Sequence, residues 1–246
     1  LTPYQIPAIL IKVNTFIFGI DMDKAETLTP KAQRTRQHIF DMAIRLFNEQ
    51  GYDATTMRDI AAAADCSPGL TYRYFAAKDD LVIALYQNLA TETEAQIMAL
   101  EGGTIAERFY QIMTAKFVQV RPYRDTMSAL FSGMMNPKSG IGVLGTNTAD
   151  IRDKMIGIFA QVVAGAKDAP KEPQVRQLAV VLYSAHMLLL LFWFYDRSPK
   201  QSATGDLLKF TREMMTLARP FLVLPPMAKS LTRVAGIVES VFGGQA

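Results

Sequence analysis

The chain has 246 residues, half of them apolar and a fifth charged, with a formal net charge of +3. That composition excludes a disordered or fibrous protein and leaves one large domain or two small ones with ample core. Between Lys31 and Ala90 seven basic residues are matched by seven acidic ones, so bulk charge does not argue for nucleic acid, and any such argument must rest on where the charges sit.

The first apolar segment, Ile6 to Ile20, is interrupted by Lys12 and Asn14 and lacks both a basic leading region and a small-residue cleavage site, so it makes a poor signal peptide. Met22 begins a polar lead, MDKAETLTP. Residues before Met22 are expected to be an upstream extension outside the working fold, and 1–29 an extension that is partly disordered.

A first helix is expected from about Ala32 to Gln50, with Ile39, Ala43, Leu46 and Phe47 on one face and Gly51 as a left-handed cap. Lys31, Arg34 and Arg36 lie at its front, where a basic arm would follow a phosphate backbone. Thr56 is placed to cap a second, short helix, with Asp59 three residues on completing a capping box. Met57, Ile60, Ala61 and Ala64 follow at helical spacing. Asp65 and Cys66 break that helix. Cys66 is the chain's one cysteine, so no intrachain disulfide forms. It reads as a small filler and not a redox sensor, and it fits a reducing cytoplasm. Ser67 then caps a third helix, with Pro68 at its first position, running to Phe75. Lys78, Asp79 and Asp80 open a fourth, the two acids favourably placed at its N-terminus.

Helices are further expected over Thr104–Val120, Arg124–Met135, Thr148–Gly165, Pro173–Tyr195, Gly205–Arg219 and Met227–Phe242, with a mobile loop from Asn136 to Gly145. No hairpin signal and no internal repeat is visible. The fold class is therefore all-α: an N-terminal three-helix helix-turn-helix domain over 30–82 and a C-terminal helical ligand-binding and dimerisation bundle over 83–246.

Three short helices with a tight turn and a capped third helix form a helix-turn-helix, whose third helix enters the major groove of double-stranded DNA. The residues offered there are Ser67, Pro68, Gly69, Leu70, Tyr72 and Arg73. Gly69 allows close backbone approach, and Arg73 suits a guanine edge or a phosphate. Thr56 and Arg58 flank the site. Lys78 and the N–H groups opening the fourth helix form a phosphate clamp. Tyr72 and Tyr74 carry hydroxyls for phosphate. Tyr74 is equally a half-buried packing residue, and the plain alternative for Arg58 is a surface ion pair with an acid. Phe47, Ile60 and Phe75 are core.

The stretch RTRQHIFDMAIRLFNEQGYDATTMRDIAAAADCSPGLTYRYFAAKDDL resembles the DNA-binding domain of the TetR family of transcriptional regulators. Its landmarks are Ile39, Ala43, Phe47, Gly51, Thr56, Ile60, Ala61, Ser67, Gly69, Tyr72, Phe75, Lys78 and Leu81. The resemblance implies a homodimer, one operator half-site per subunit, and a divergent C-terminal domain that takes a small molecule. It maps DNA contacts onto Thr56, Ser67, Gly69, Tyr72, Tyr74 and Lys78. Thr71 stands where the family is usually aliphatic, and Leu70 where it is often polar.

The C-terminal half is dense in Phe and Met. Met113, Phe117, Met127, Phe131, Met155, Phe159, Tyr183 and Met187 are the candidate lining of a pocket for a small hydrophobic ligand, each of them also a plain core residue. Leu178 to Tyr195 reaches the length of a membrane span but carries His186 and lacks a flanking basic cluster. It reads as a buried dimer-interface helix partnered by Gly205–Arg219 in a four-helix bundle, with His186 hydrogen-bonded in that interface. An enzyme built on Tyr183, His186 or Asp196 lacks a nucleophile–base pair at convincing spacing. No metal, no cofactor and no membrane partner is expected, and the location expected is cytoplasmic.

Overall fold

A computed structural model describes residues 28–136 and 139–241, with the side chains at 129, 131, 132, 222, 223 and 225 outside the description. The expected extension before Met22 lies outside the described residues. Ten α-helices and no strand occur among those described. They are α1 (Pro30–Gln50), α2 (Met57–Ala63), α3 (Pro68–Tyr74), α4 (Lys78–Met98), α5 (Ile105–Val120), α6 (Arg124–Met135), α7 (Ala149–Ala164), α8 (Gln174–Tyr195), α9 (Ser202–Ala218) and α10 (Pro225–Val241).

Local chemistry accounts for the first three boundaries. Thr29 caps α1 by accepting the Ala32 N–H, with Pro30 in the first turn, so α1 starts two residues earlier than expected. Gly51 ends α1 at φ +88 and ψ 158. That is a positive φ, but an extended ψ in place of the left-handed helical pair expected. Asp65, at φ 50, makes the sharp turn between α2 and α3.

The first three helices and the start of α4 send apolar side chains into a core continuous with that of the C-terminal half. Ile39, Phe47, Ile60, Phe75 and Leu81 are almost fully buried there. Burial of a side chain of that size is worth about 1.5–3 kcal/mol. The rings of Phe47 and Tyr52 meet edge to face at 5.1 Å. Helix α4 runs unbroken through residues 82 and 83 and packs on α5 and α7. A second path joins the two halves: Asn48 on α1 donates to the Pro122 carbonyl at 3.4 Å and accepts from the Thr126 hydroxyl of α6.

In the C-terminal half α8 packs chiefly against α7 and α10, and α9 chiefly against α5. Thus α9 is only a minor neighbour of α8 within one subunit. Among the described residues α8 is the one helix long and apolar enough to cross a membrane, and more than half of its most apolar stretch is buried. His186 is buried, and neither ring nitrogen has a hydrogen-bond partner among the described residues. Within one subunit the rings of Phe159 and Tyr183 lie beside it and the Lys116 charge acts on it. Asp196 is structural: its carboxylate accepts from the N–H and hydroxyl of both Ser198 and Thr204, joining α8 to α9. Burial pushes that carboxyl up, and the four hydrogen bonds outweigh it and hold the group well below the usual carboxylate range.

The segment joining α6 to α7 is extensively bonded. Met134 and Gly142 carbonyls accept from Val143 N–H and the Thr148 hydroxyl, and the buried Arg152 donates to the carbonyls of Val143 and Gly145.

Candidate nucleic-acid interface

The α2–α3 unit is built from two caps and a turn. Asp59 accepts from the Thr56 N–H at 2.8 Å and from its hydroxyl at 2.7 Å, while its own N–H donates to the Thr56 hydroxyl oxygen at 3.2 Å. Those bonds hold the Asp59 carboxyl below its ordinary range. This is the reciprocal box anticipated from Thr56 and Asp59. Between the helices the Cys66 N–H reaches back to the Ala61 carbonyl at 2.9 Å, and Cys66 is half-buried against the core. Ser67 accepts the Leu70 N–H at 3.2 Å to start α3.

Only one face of α3 is committed inward. Thr71 is wholly buried and donates its hydroxyl to the Ser67 carbonyl at 3.3 Å. A threonine therefore fills this inward position with its polar atom satisfied, which removes the penalty such a group would otherwise carry. Leu70 and Tyr74 are half-buried, and Tyr74 packs on the core. Ser67, Pro68, Gly69, Tyr72 and Arg73 are exposed, as are Thr56 and Arg58 beside them. Tyr72 is 49% exposed, far more than its size requires for packing. A Cβ on Gly69 would meet nothing within 4 Å, so no internal contact asks for glycine there.

Two basic side chains are already engaged. The Lys78 ammonium donates to the Tyr52 carbonyl at 2.7 Å and stands 4.3 Å above the Tyr52 ring. The Arg36 guanidinium lies 4.7 Å over the Phe75 ring, half-buried. Arg36 is thus a packing element, while Lys31 and Arg34 stay exposed on α1. The first turn of α4 carries its own anion, since Asp80 accepts the Ala77 N–H at 3.0 Å. The residue types at 56–78 foretold the caps at Thr56 and Ser67. The ring contacts of Lys78 and Arg36 were missed, for they depend on partners 26 and 39 positions away.

The eight side chains named as a C-terminal pocket take different places among the described residues. Met113, Phe117, Met127, Met155, Phe159 and Tyr183 are buried in the core. The Phe131 side chain lies outside the described residues. Met187 borders an apolar hollow of about 110 Å³ with Met134, Leu190 and Phe194. A more open cleft of about 470 Å³ lies between Asp153, Gly157, Glu172 and Arg176. No sequence signal marked it.

Residues 39–85 match a family model described as bacterial regulatory proteins, tetR family. The chain is similar to the HTH-type transcriptional regulator HbdR of Aromatoleum sp. (strain CIB), 29% identical over 232 residues that cover 90% of this chain and 96% of HbdR. It is also similar to the regulator AcrR of Shigella flexneri, 44% identical over 57 residues, which cover 23% of this chain and 26% of AcrR. Among solved structures, a tetR-family transcriptional regulator from Streptomyces coelicolor superposes with a TM-score of 0.58 at 22% identity, covering 85% of this chain and 89% of that one. Thermus thermophilus FadR, a repressor solved in complex with lauroyl-CoA, does so with a TM-score of 0.58 at 17% identity, covering 74% and 93%. At these identities the superpositions speak to the fold alone: an N-terminal helix-turn-helix and a C-terminal helical bundle.

Proposed function

Because this chain belongs to the TetR family of bacterial regulatory proteins and is a DNA-binding transcriptional regulator, we propose that it is a cytoplasmic, dimeric repressor released from its operator by a small hydrophobic ligand. In this reading residues 30–82 bind DNA and 83–246 bind the ligand and dimerise. The observation that carries it is the face of α3, where Ser67, Gly69, Tyr72 and Arg73 are exposed around a single buried side chain, Thr71. Pro68 and Leu70 complete the surface offered to base edges. Thr56, Arg58, Tyr74 and Lys78 lie where the backbone passes. Gly69 admits close approach of a phosphate or base, since its own fold does not require it.

Dimerisation is supported by apolar side chains left outward on two adjacent helices: Leu188, Phe192 and Tyr195 on α8, and Phe210, Met214 and Leu217 on α9. A patch of that kind marks an interaction site. In a two-fold dimer the α8 and α9 of each subunit pair as a four-helix bundle, and the two α3 helices stand about 34–36 Å apart, one turn of DNA.

Release follows from the connections between the halves. A ligand that spreads the bundle moves α4, and with it the α1 contact at Asn48 and Thr126. A coupling of about 1–3 kcal/mol would lower operator affinity about 5- to 150-fold. The hydrophobic nature of the ligand rests on the Phe- and Met-rich interior, and the lauroyl-CoA complex of FadR supports it by analogy. Capture and sequencing of genomic fragments on the purified protein tests the reading. An inverted repeat with half-sites one helical turn apart, bound by a dimer in light scattering, is the expected result. Enrichment no better than random DNA at moderate salt would overturn it.

A further inference from the structure

Residues 122–126 are gripped from two directions. On one side the Asn48 amide of α1 donates to the Pro122 carbonyl at 3.4 Å and accepts from the hydroxyl of Thr126, which is wholly buried. Between those two contacts Arg124 reaches the other way, to the C-terminal end of α8. Its Nη2 donates to the carbonyls of Trp193 at 3.2 Å, Phe194 at 3.2 Å and Asp196 at 2.8 Å. Its guanidinium also stands 5.3 Å from the centre of the Trp193 ring. A single terminal nitrogen has two N–H groups, so the three carbonyls share them. The Nε N–H is buried with no hydrogen-bond partner among the described residues.

Helix capping explains part of this arrangement. The last carbonyls of a helix lack intrahelical donors, and a cation beside them is favourable. A glycine cap would serve them equally and would leave no buried N–H unsatisfied. Capping does not explain where the guanidinium comes from. Arg124 opens α6 where that helix meets α1, and the end of α8 that it holds leads into a fixed turn to α9. In that turn the Trp193 indole N–H donates to the Gln201 side chain at 3.1 Å, and the Asp196 carboxylate accepts from Ser198 and Thr204. Lys200 and Gln201 have φ of 54 and 59, backbone that non-glycine residues keep only where their surroundings impose it. The carbonyls held by Arg124 lie beside Phe192 and Tyr195, which belong to the outward apolar face of α8. A bonded chain therefore runs from α1 through Arg124 to the turn that sets α9 against α8, and it bypasses α4.

We infer that Arg124 is a positioning residue for DNA binding: through it the α8–α9 interface of the dimer fixes the orientation of the DNA-binding half, and so the separation of the two α3 helices. The inference rests on the reading that α8 and α9 dimerise, and it adds the residue through which the dimer's geometry reaches the operator. Coupling of this kind is reciprocal, so operator DNA should tighten the dimer through the same residue.

The test measures geometry in the full chain. Cys66, the only cysteine, is removed by Cys66→Ala, and His38→Cys, at an exposed site on α1, carries a spin label in each subunit. Pulsed electron spin resonance then reads the distance between the two labels. The parent dimer should give one narrow distance. Arg124→Met and Asn48→Ala should broaden it to the same extent, and the double variant should be no broader than either, since both cut one connection. Arg124→Lys should restore part of the narrow distribution by returning a donor to the end of α8. On an operator fragment obtained by genomic capture, Arg124→Met and Asn48→Ala should each weaken binding about tenfold, and together no more than either alone. A side chain that only stabilises α8 would lower the melting temperature and leave distances and affinity unchanged, and that result would overturn the inference. Losses that add in the double variant would overturn it too. Should Arg124→Met fail to fold, Arg124→Gln, polar but shorter than arginine, takes its place under the same expectations. A parent chain that is monomeric in light scattering removes the dimer reading and the inference with it, whereas a dimer whose distances ignore all these substitutions removes the inference alone.

Discussion

Lys78 closes over Tyr52, with its ammonium 2.7 Å from the Tyr52 carbonyl and 4.3 Å above the ring. The Tyr52 hydroxyl in turn donates to the carboxylate of Asp79, the residue next to Lys78. The loop after α1 is thereby fastened to the start of α4 from both sides. Gly140, between α6 and α7, lies against the same Asp79 carboxylate, where a Cβ would collide. The C-terminal half thus touches the DNA-binding half at this node as well as at Asn48.

Removing the node should loosen the first domain without unfolding it. Tyr52→Phe keeps the ring under Lys78 and loses one hydrogen bond to a carboxylate, a cost of about 1–2 kcal/mol for a half-buried pair. Tyr52→Leu also loses the cation–ring contact, worth about 0.5–1 kcal/mol more. Urea unfolding should order the three proteins accordingly. Wild-type stability in Tyr52→Leu would show that the contact holds nothing.

Gly51 is needed for its backbone alone. Its φ of +88 with extended ψ is a conformation that only glycine adopts freely, and a Cβ there would meet no atom within 4 Å. Gly51→Ala should therefore cost about 1–3 kcal/mol of pure backbone strain. Gly69→Ala has neither strain nor clash in the free protein. It should leave the melting temperature near wild type and weaken operator binding. Equal losses of stability in the two variants would contradict this distinction.

What the sequence made legible follows from range. The caps at Thr56 and Ser67 bond three residues ahead, and Pro68 acts on its own φ, so α2 and α3 were readable within a residue or two. Helices α5 to α8 were equally readable, whereas α9 starts at Ser202, three residues before the expected Gly205. The partners of Lys78 and Arg36 were not, because an ammonium or guanidinium over a ring is set by tertiary juxtaposition and has no spacing rule. The surroundings of His186 were not readable for the same reason: which rings and charges meet a buried imidazole depends on how the helices pack. Helix α8 showed its apolarity but not its neighbours, and its cover of α7 and α10 could not be told from a bundle with α9.

Arg73 should dominate the contribution of α3 to DNA binding. It is exposed and the structure gives it no partner among the described residues, whereas Lys78 must share its ammonium with Tyr52. If Arg73 reads a guanine, Arg73→Ala should cost about 1–3 kcal/mol and relax preference at one base pair. If it meets phosphate, affinity should fall on all sequences alike and the salt slope should drop by about one. Fluorescence anisotropy at several salt concentrations distinguishes these, and unchanged affinity at moderate salt would exclude Arg73 from the interface.

The outward apolar faces of α8 and α9 give a separate prediction. Phe192 is 42% exposed and Leu217 63%, so a charge at either is readily solvated in one subunit and costly in a dimer core. Phe192→Glu and Leu217→Glu should yield folded monomers in light scattering, with operator affinity falling steeply because each half-site is then held alone. A dimer of wild-type strength in both variants would place the interface elsewhere.

The last prediction concerns pH, and its sign follows from the bundle interior. Burial brings the Lys116 ammonium down to about 7 from 10.5, with Glu92 only partly restoring it. Below pH 7 both folded and unfolded chains carry the charge, and the folded state bears the whole cost of burying it. Between about pH 7 and 10.5 the folded chain sheds the proton that the unfolded chain keeps, so stability rises with pH across that window. Burial, with the nearby Lys116 charge adding to it, takes His186 down to about 3 from 6.5. Stability is accordingly lost as pH falls from 6.5 toward 3. Lys116→Met should be more stable than wild type at pH 6, on the order of a few kcal/mol, with the advantage shrinking toward pH 10. His186→Leu should flatten the acid side alone. Denaturant midpoints of the three proteins across pH 4 to 10 measure both windows, and a Lys116→Met difference independent of pH would mean that the ammonium stays charged in the folded bundle throughout.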